Sequence, residues 1–449
     1  MREGKACSKL ALGTATDAAP TRGAREESRL LDRGDSFYDA LETRPPAERE
    51  AALMAELPQI VATAKQWAPF YRDLLAKVRP EEIADRRALV DLPLTRKSAL
   101  IDLQRREPPF GGLNAAEPGE FARIFASPGP IYEPQGRRPD YWRMARALFA
   151  AGFRAGDLVH NAFSYHLTPA GAIIESGAEA LGCAVIPAGT GQTELQLRTI
   201  ADLRPDGYVG TPSFLKILLD RAAELAIDIG CLRKALVGAE AFPVVLRREF
   251  HDSGIAALQC YGTAELGLIA YETTDAGGHV CEGMVLDERI ILELVTPGTA
   301  EPVAPGEVGE VVVTALTPEY PLIRFATGDL SAQLPGLSLC GRTNHRIRGG
   351  LGRADQTAKV RGLFVHPEQI AEIVRQHKEI IRARLVIERP EAADRMRLMV
   401  EMGEPAEDLA RIAATIQAVT KLRAEIERVP EGSLPNDGKV IDDRRPVDG

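Results

Sequence analysis

Apolar and polar positions change their period along this chain. From Ser36 to about Leu103 the spacing is helical, most clearly in "LPQIVATAKQWAPFYRDLLAKV". The Pro- and Gly-rich stretch "EPPFGGLNAAEPGE" closes that region. From Tyr141 to about Ile269, strand and helix patterns alternate. "YWRMARALFAAGF" predicts an amphipathic helix ended by Gly152, "DLVHNAF" a short buried strand, "GAIIESGAEALGC" a helix and "AVIPAG" the next strand. "TELQLRTIADLRP" predicts a helix that starts at a capping Thr193. "GYVGTP", "SFLKILLDRAAELAI" and "KALVGAE" continue the series as strand, helix and strand. Such a rhythm predicts an α/β fold with a mainly parallel sheet covered by helices.

The period shortens from Val280 to Leu334, where "RIILELV" and "GEVGEVVVTAL" predict short strands with Gly/Pro turns, a small β-rich subdomain. After Gly352, "AKVRGLFVHPEQIAEIVRQH", "RARLVIE", "MRLMVEM" and a long helix from Glu407 predict a second, smaller α+β unit. A chain of 449 residues is too long for one compact core. The expected layout is a disordered tail over residues 1–35, a large N-terminal domain over 36–351 and a small mobile C-terminal domain over 352–449.

Hydrophobic content of 45% and charged content of 27% are globular values. A formal net charge of −9 argues against a nucleic-acid partner, whose phosphates require a basic face. Apolar runs long enough to span a bilayer are absent, so no membrane partner is expected. The N-terminal stretch is polar, without the apolar segment of a secretory signal. Six dispersed cysteines suggest no disulfide framework, and a cytoplasmic location is the expectation.

Open parallel sheets bind ligands beyond the carboxyl ends of their strands. Here those ends read "IPAGTGQTE", "VGTPS", "VGAEAFP" and "QCYGTAELG". Each alone is an ordinary turn. Together, with Glu240 and Glu265 among them, they favour a site, and Glu265 could hold Mg2+ between phosphate oxygens.

Four segments in order, "YGTAE" (261–265), "YPLIRFATGDL" (320–330), "GRADQTAKVRGLFVHPEQI" (352–370) and "LPNDGK" (434–439), resemble the AMP-forming adenylate-forming enzymes, in the branch of phenylacetate–CoA ligase. "GDLVHNAFSYHLTPAG" and "AVIPAGTGQTELQ" are similar to that branch as well. The resemblance runs from about Asp91 to the end of the chain and implies an active site between a large and a small domain. It implies ATP, Mg2+ and coenzyme A as cofactors and a small-molecule aryl acid as substrate. The acid becomes an acyl-adenylate, from which the thiol of coenzyme A displaces AMP.

By the same resemblance, Lys439 neutralises charge during adenylation, Glu265 serves catalysis through the metal, and Asp329 and Arg353 hold the ribose. Gly238, Ala239 and Glu240 lie along the adenine with Tyr261, and Gly262 and Thr263 follow in the same nucleotide-binding segment. Asp355 is the hinge, and Arg361 and Gly362 lie where the pantetheine arm enters. Read from the residues alone, Lys439 is better taken as a solvated tail lysine, and Asp329 reads as a turn aspartate.

Two stretches depart from the family. "FASPGPIYEP" (125–134) stands where a helix-initiating, lysine-containing phosphate loop is expected. Ser127 and Gly129 are in place, but Pro128 and Pro130 have no N–H to offer and the lysine is missing. Tyr132 and Arg137 are the residues that could compensate. The second departure concerns a structural zinc, for which Cys260, His279, Cys281 and Cys340 are the candidate ligands. Thr273 and Ser338 stand where family cysteines are expected, and buried cysteines with a surface histidine are the favoured reading.

The acyl pocket is expected to draw on Phe163, Tyr165, His166, Thr168 and Pro169, an aromatic and apolar set with two polar handles. Phe163 and Tyr165 are otherwise simply core. Three functions compete: an aryl-acid–CoA ligase, an adenylating enzyme with another acceptor, and a catalytically silent ligand-binding homologue. A homodimer is the assembly to test.

Overall fold

Pro46 and Pro69 open two helices, Pro46–Trp67 and Pro69–Leu74, within the stretch whose spacing is helical. The break falls at Ala68, whose backbone is extended (φ −97°, ψ 112°), because a residue before proline is driven out of the helical region. Leu57, Val61 and Ala64 share one face of the first helix and are fully buried. The computed structural model describes residues 36–127, 130–356, 358–360, 363–388, 394–402, 409–435 and 439–445. The expected tail over residues 1–35, together with Gly129, Arg361 and Gly362, lies outside them.

Among the described residues the strands run in chain order as β1 (Thr95–Arg96), β2 (Arg123–Ser127), β3 (Ile131–Gln135), β4 (Leu158–Asn161), β5 (Ala184–Pro187), β6 (Gly207–Gly210) and β7 (Lys234–Val237). They continue as β8 (Ala256–Thr263), β9 (Gly267–Tyr271), β10 (Met284–Leu286), β11 (Ile290–Val295), β12 (Val308–Ala315), β13 (Leu322–Leu334) and β14 (Arg346–Ile347). One continuous sheet takes the order β5–β4–β6–β7–β8–β9–β10–β14–β13–β12–β11, and β1 pairs with β13. Pairing is parallel from β5 through β8 and antiparallel from β8 to β11. The alternating segment thus forms the parallel half, and the short-period segment the antiparallel half. Helices Ala170–Ala180, Thr193–Leu203 and Pro212–Leu225 connect the parallel strands, which is why β6 is buried at every position.

Two local expectations are corrected. "FASPGPIYEP" starts no helix: β2 and β3 form an antiparallel hairpin, with Ser127 opposite Ile131 and Phe125 opposite Glu133. No helix N-terminus therefore points from this segment toward a phosphate. Thr193 does not cap its helix either. The cap position is Gln192, in the left-handed region at φ 53°, and Thr193 is the first helical residue.

The C-terminal part holds β15 (Ala358–Val360), β16 (Leu363–Val365), β17 (Ile380–Glu388), β18 (Arg395–Met402), β19 (Glu425–Val429) and β20 (Ile441–Asp443). Its four-stranded sheet has the order β19–β18–β17–β20. Helices Pro367–Gln376 and Leu409–Thr420 accompany it, and Val365, Ile373, Leu385, Leu398, Ile412 and Ile416 form a core of its own. No helix among the described residues is long and apolar enough to cross a membrane.

Candidate active site

Three residues from distant parts of the chain converge at the carboxyl end of β8. The Tyr261 hydroxyl donates to Asp329 Oδ2 at 2.8 Å, and Arg353 Nη1 donates to Asp329 Oδ1 at 3.1 Å. Asp329 lies on β13 and forms an isolated antiparallel bridge with Arg353. The approach depends on Gly328, at φ 77°, where an added Cβ would meet Arg353 Nη2 at 2.8 Å. Thr327 Oγ1 accepts the Asp329 N–H at 3.1 Å and fixes the turn. Burial, and then the negative charge of Asp329, holds the Tyr261 hydroxyl well above its usual pKa, so it remains a donor. Each Asp329 oxygen still has a lone pair to accept a further hydroxyl.

Beside this cluster lies a cavity of about 330 Å3, lined on one wall by Gly238, Ala239, Gly262 and Thr263 and on another by Met144, Phe163, Thr168 and Ile173. Ser127 and Cys260 also line it. Ala239 is left-handed (φ 66°), and a Cβ on Gly238 would sit 3.1 Å from Cys260 Sγ, so backbone forms that wall. Glu240 turns away, its Oε1 accepting the Ser213 N–H at 2.7 Å.

Two expected pocket residues do not line the cavity. Tyr165 folds back over Gly171, where an added Cβ would meet its ring at 2.8 Å, and its hydroxyl accepts from Asn161 Nδ2 at 2.7 Å. His166 is exposed at the loop tip. Phe163 and Thr168 do line it, and of the two expected polar residues only Thr168 is among its lining.

Glu265 is buried, and its Oε1 lies 2.8 Å from Lys97 Nζ. Lys97 was not among the residues singled out from the sequence. It follows β1, whose pairing with β13 carries it to the site. It also lines a second cavity of about 190 Å3 with Thr327, Gly328 and Arg353. A second residue missed by sequence is Glu133, fully buried on β3, with Oε1 2.5 Å from Ser127 Oγ.

Of the two residues expected to compensate for the loop, Arg137 is engaged elsewhere, whereas Tyr132 is held through its backbone and leaves its side chain exposed. The Tyr132 N–H and carbonyl are both held by the Gln104 side-chain amide at 2.8 Å. Arg137 donates to the carbonyls of Glu120 and Phe121, at 3.0 and 3.2 Å. The cation the fold brings to Glu265 is Lys97, not Arg137.

Lys439 is largely exposed and lies 4.0 Å from Asp442. The adjacent Val440 N–H donates to Gln356 Oε1 at 2.7 Å, which ties the Lys439 segment to the short turn Ala354–Gln356 that contains Asp355.

The four candidate zinc ligands do not gather. The His279 side chain is 84% exposed and lies 3.3 Å from Asp275. Burial pushes the Cys340 thiol up, but hydrogen bonds with Ser338, Thr273 and Arg342 outweigh it and hold the group below its usual pKa. Among the described residues no group of three or more His, Cys, Asp or Glu side chains could hold a metal ion.

Fold and site together define an AMP-binding enzyme: residues 143–316 match the AMP-binding enzyme family, and residues 362–445 match the AMP-binding enzyme C-terminal domain. The chain is 34% identical over 387 residues to the phenylacetate–coenzyme A ligase of Thermus thermophilus, covering 82% of this chain and 85% of that one. It is 31% identical to the Escherichia coli enzyme of the same name, covering 90% and 96%. The chain belongs to the phenylacetate–coenzyme A ligase family. Among solved structures, 2-hydroxyisobutyryl-CoA ligase in the postadenylation state, in complex with R3-HIB-AMP, is similar at 25% identity, with a TM-score of 0.75 and coverage of 92% and 94%.

Proposed function

We propose that the protein converts an aromatic carboxylic acid to its acyl-adenylate with ATP and then transfers the acyl group to coenzyme A. A carboxylate oxygen of the acid attacks the α-phosphorus and pyrophosphate leaves. The coenzyme A sulfur then attacks the acyl carbon and AMP leaves. The observation that carries this reading is the Tyr261–Asp329–Arg353 cluster beside a cavity with one backbone wall and one apolar wall.

In this reading Asp329 accepts the ribose hydroxyls, and Tyr261 and Arg353 hold its carboxylate in place. The backbone wall at Gly238 and Ala239 faces the adenine, and the Met144, Phe163 and Ile173 side takes the ring of the acid. Glu265 already binds a cation, the Lys97 ammonium, so its carboxylate fits Mg2+, which when bound would neutralise phosphate charge. Lys97 adds positive charge where the loop lysine is missing, and Lys439 supplies it to the adenylation transition state from the C-terminal part. The described cysteines are all free, which suits a reducing cytosol.

Pyrophosphate release across a panel of aryl acids, with and without coenzyme A, tests the proposal. Release with at least one acid, and a coenzyme A thioester formed from it, are expected. Adenylate that forms but never passes to coenzyme A overturns the second step. No release with any acid overturns both.

A further inference from the structure

Glu133 is an acid in an unusual place. It lies on β3, opposite Phe125 in the β2–β3 hairpin, and is fully buried. Its Oε1 lies 2.5 Å from Ser127 Oγ, and its Oε2 is buried with no hydrogen-bond partner. Lys97 and Glu265 act on it electrostatically from the Lys97 turn and the end of β8, and it acts in turn on Tyr320, just before β13. A carboxylate with one orphaned oxygen is strongly disfavoured in such a setting, whereas a carboxylic acid is not. Burial, reinforced by Glu265, raises this group to about 8, against the smaller opposing effects of Ser127 and Lys97. Ser127 Oγ has a second oxygen nearby, Ile131 O, only at 3.4 Å. Ser127 itself lines the 330 Å3 cavity.

Resting on the nucleotide reading above, we propose that Glu133 carries a proton on Oε1 and donates it to Ser127 Oγ, which leaves the Ser127 hydroxyl proton to point outward as a donor to the nucleotide's phosphate oxygens. Oε1 is the oxygen with an acceptor in reach, so the proton belongs there rather than on Oε2. An ionised Glu133 would reverse the bond: Ser127 would donate inward, and the loop would lose a donor. In a hairpin where Pro128 and Pro130 cannot donate, that donor matters more than in a loop rich in N–H groups. Glu133 is thus a positioning residue acting through Ser127.

The test is pyrophosphate release from about pH 6 to about pH 9.5, with ATP and the acid varied separately. The parent, Glu133→Gln, Glu133→Leu, Ser127→Ala and the Ser127→Ala/Glu133→Leu double variant are compared, and calorimetric titration with Mg-ATP is run alongside. In the parent, KM for ATP should rise above about pH 8 while KM for the acid stays flat. Glu133→Gln, whose amide N–H donates to Ser127 at any pH, should keep the low KM for ATP and lose the alkaline rise. Glu133→Leu should raise KM for ATP about fivefold at every pH. The same change should have no further effect once Ser127 is alanine. An alkaline rise retained in Glu133→Gln, or equal losses with and without Ser127, overturns the inference and leaves the ligase reading standing. A parent that binds no Mg-ATP overturns both.

Discussion

Lys97 and Glu265, 168 positions apart, meet as an ion pair whose carboxylate is fully buried and whose ammonium is 27% exposed. Replacing Lys97 by methionine leaves Glu265 buried without its partner, the more damaging way to break such a pair. KM for ATP should rise about tenfold, and the melting temperature should fall by several degrees. Parallel kinetic and thermal measurements check this, and unchanged ATP kinetics would remove Lys97 from the site.

The Asp329 cluster predicts an order of effects. Asp329→Ala removes the acceptor for both protein donors and the proposed ribose contact, and should raise KM for ATP by about a hundredfold. Arg353→Ala and Tyr261→Phe each remove one donor and should raise it roughly three- to tenfold. The acid's KM should not move in any of them. Equal shifts in both KM values would indicate general disruption rather than ribose binding.

Glu133 also predicts a slope of stability against pH. Its ordinary value is 4.5 and its folded value about 8, so between those limits the folded state holds a proton that the unfolded chain has released. Stability therefore falls as pH rises through that window, by up to about 1.4 kcal/mol per pH unit, and levels off above about pH 8. Glu133→Gln should remove this component, so the variant gains on the parent toward alkaline pH. Asp140, raised by burial to about 7, adds a slope of the same sign to both proteins and cancels in the difference. Urea melts of the two proteins at acid, neutral and alkaline pH measure it.

Lys439→Ala should abolish adenylation and spare the fold. The side chain is 58% exposed, so its removal should change stability by only a few tenths of a kcal/mol. Loss of charge from an anionic transition state should lower the adenylation rate roughly a thousandfold or more. Thioester formation from supplied acyl-adenylate should be nearly normal. A variant as active as the parent would return Lys439 to the status of a surface lysine.

Much of this arrangement was legible in the sequence because it is local. The alternating segment announced its strands and helices through their period, and "TGDL" and "YGTAE" marked the residues that meet at Asp329. What stayed hidden depends on long-range geometry. Lys97 reads as one more surface lysine until β1 pairs with β13. Glu133 follows an exposed Tyr132 in a stretch that reads as a phosphate loop, and only the folded hairpin shows it buried. Tyr165 looked like a pocket wall because nothing in its neighbourhood reveals that Gly171 leaves room for the ring to fold back.

The short turn Ala354–Gln356 is anchored at both ends, and to different partners. Arg353 is fastened to Asp329 on the large sheet, and Gln356 to Val440 ahead of β20. Between these anchors stand only Ala354 and Asp355. We propose that a swivel of the C-terminal part against the large one turns on the backbone torsions of these two residues. A proline at either position would stiffen that bearing.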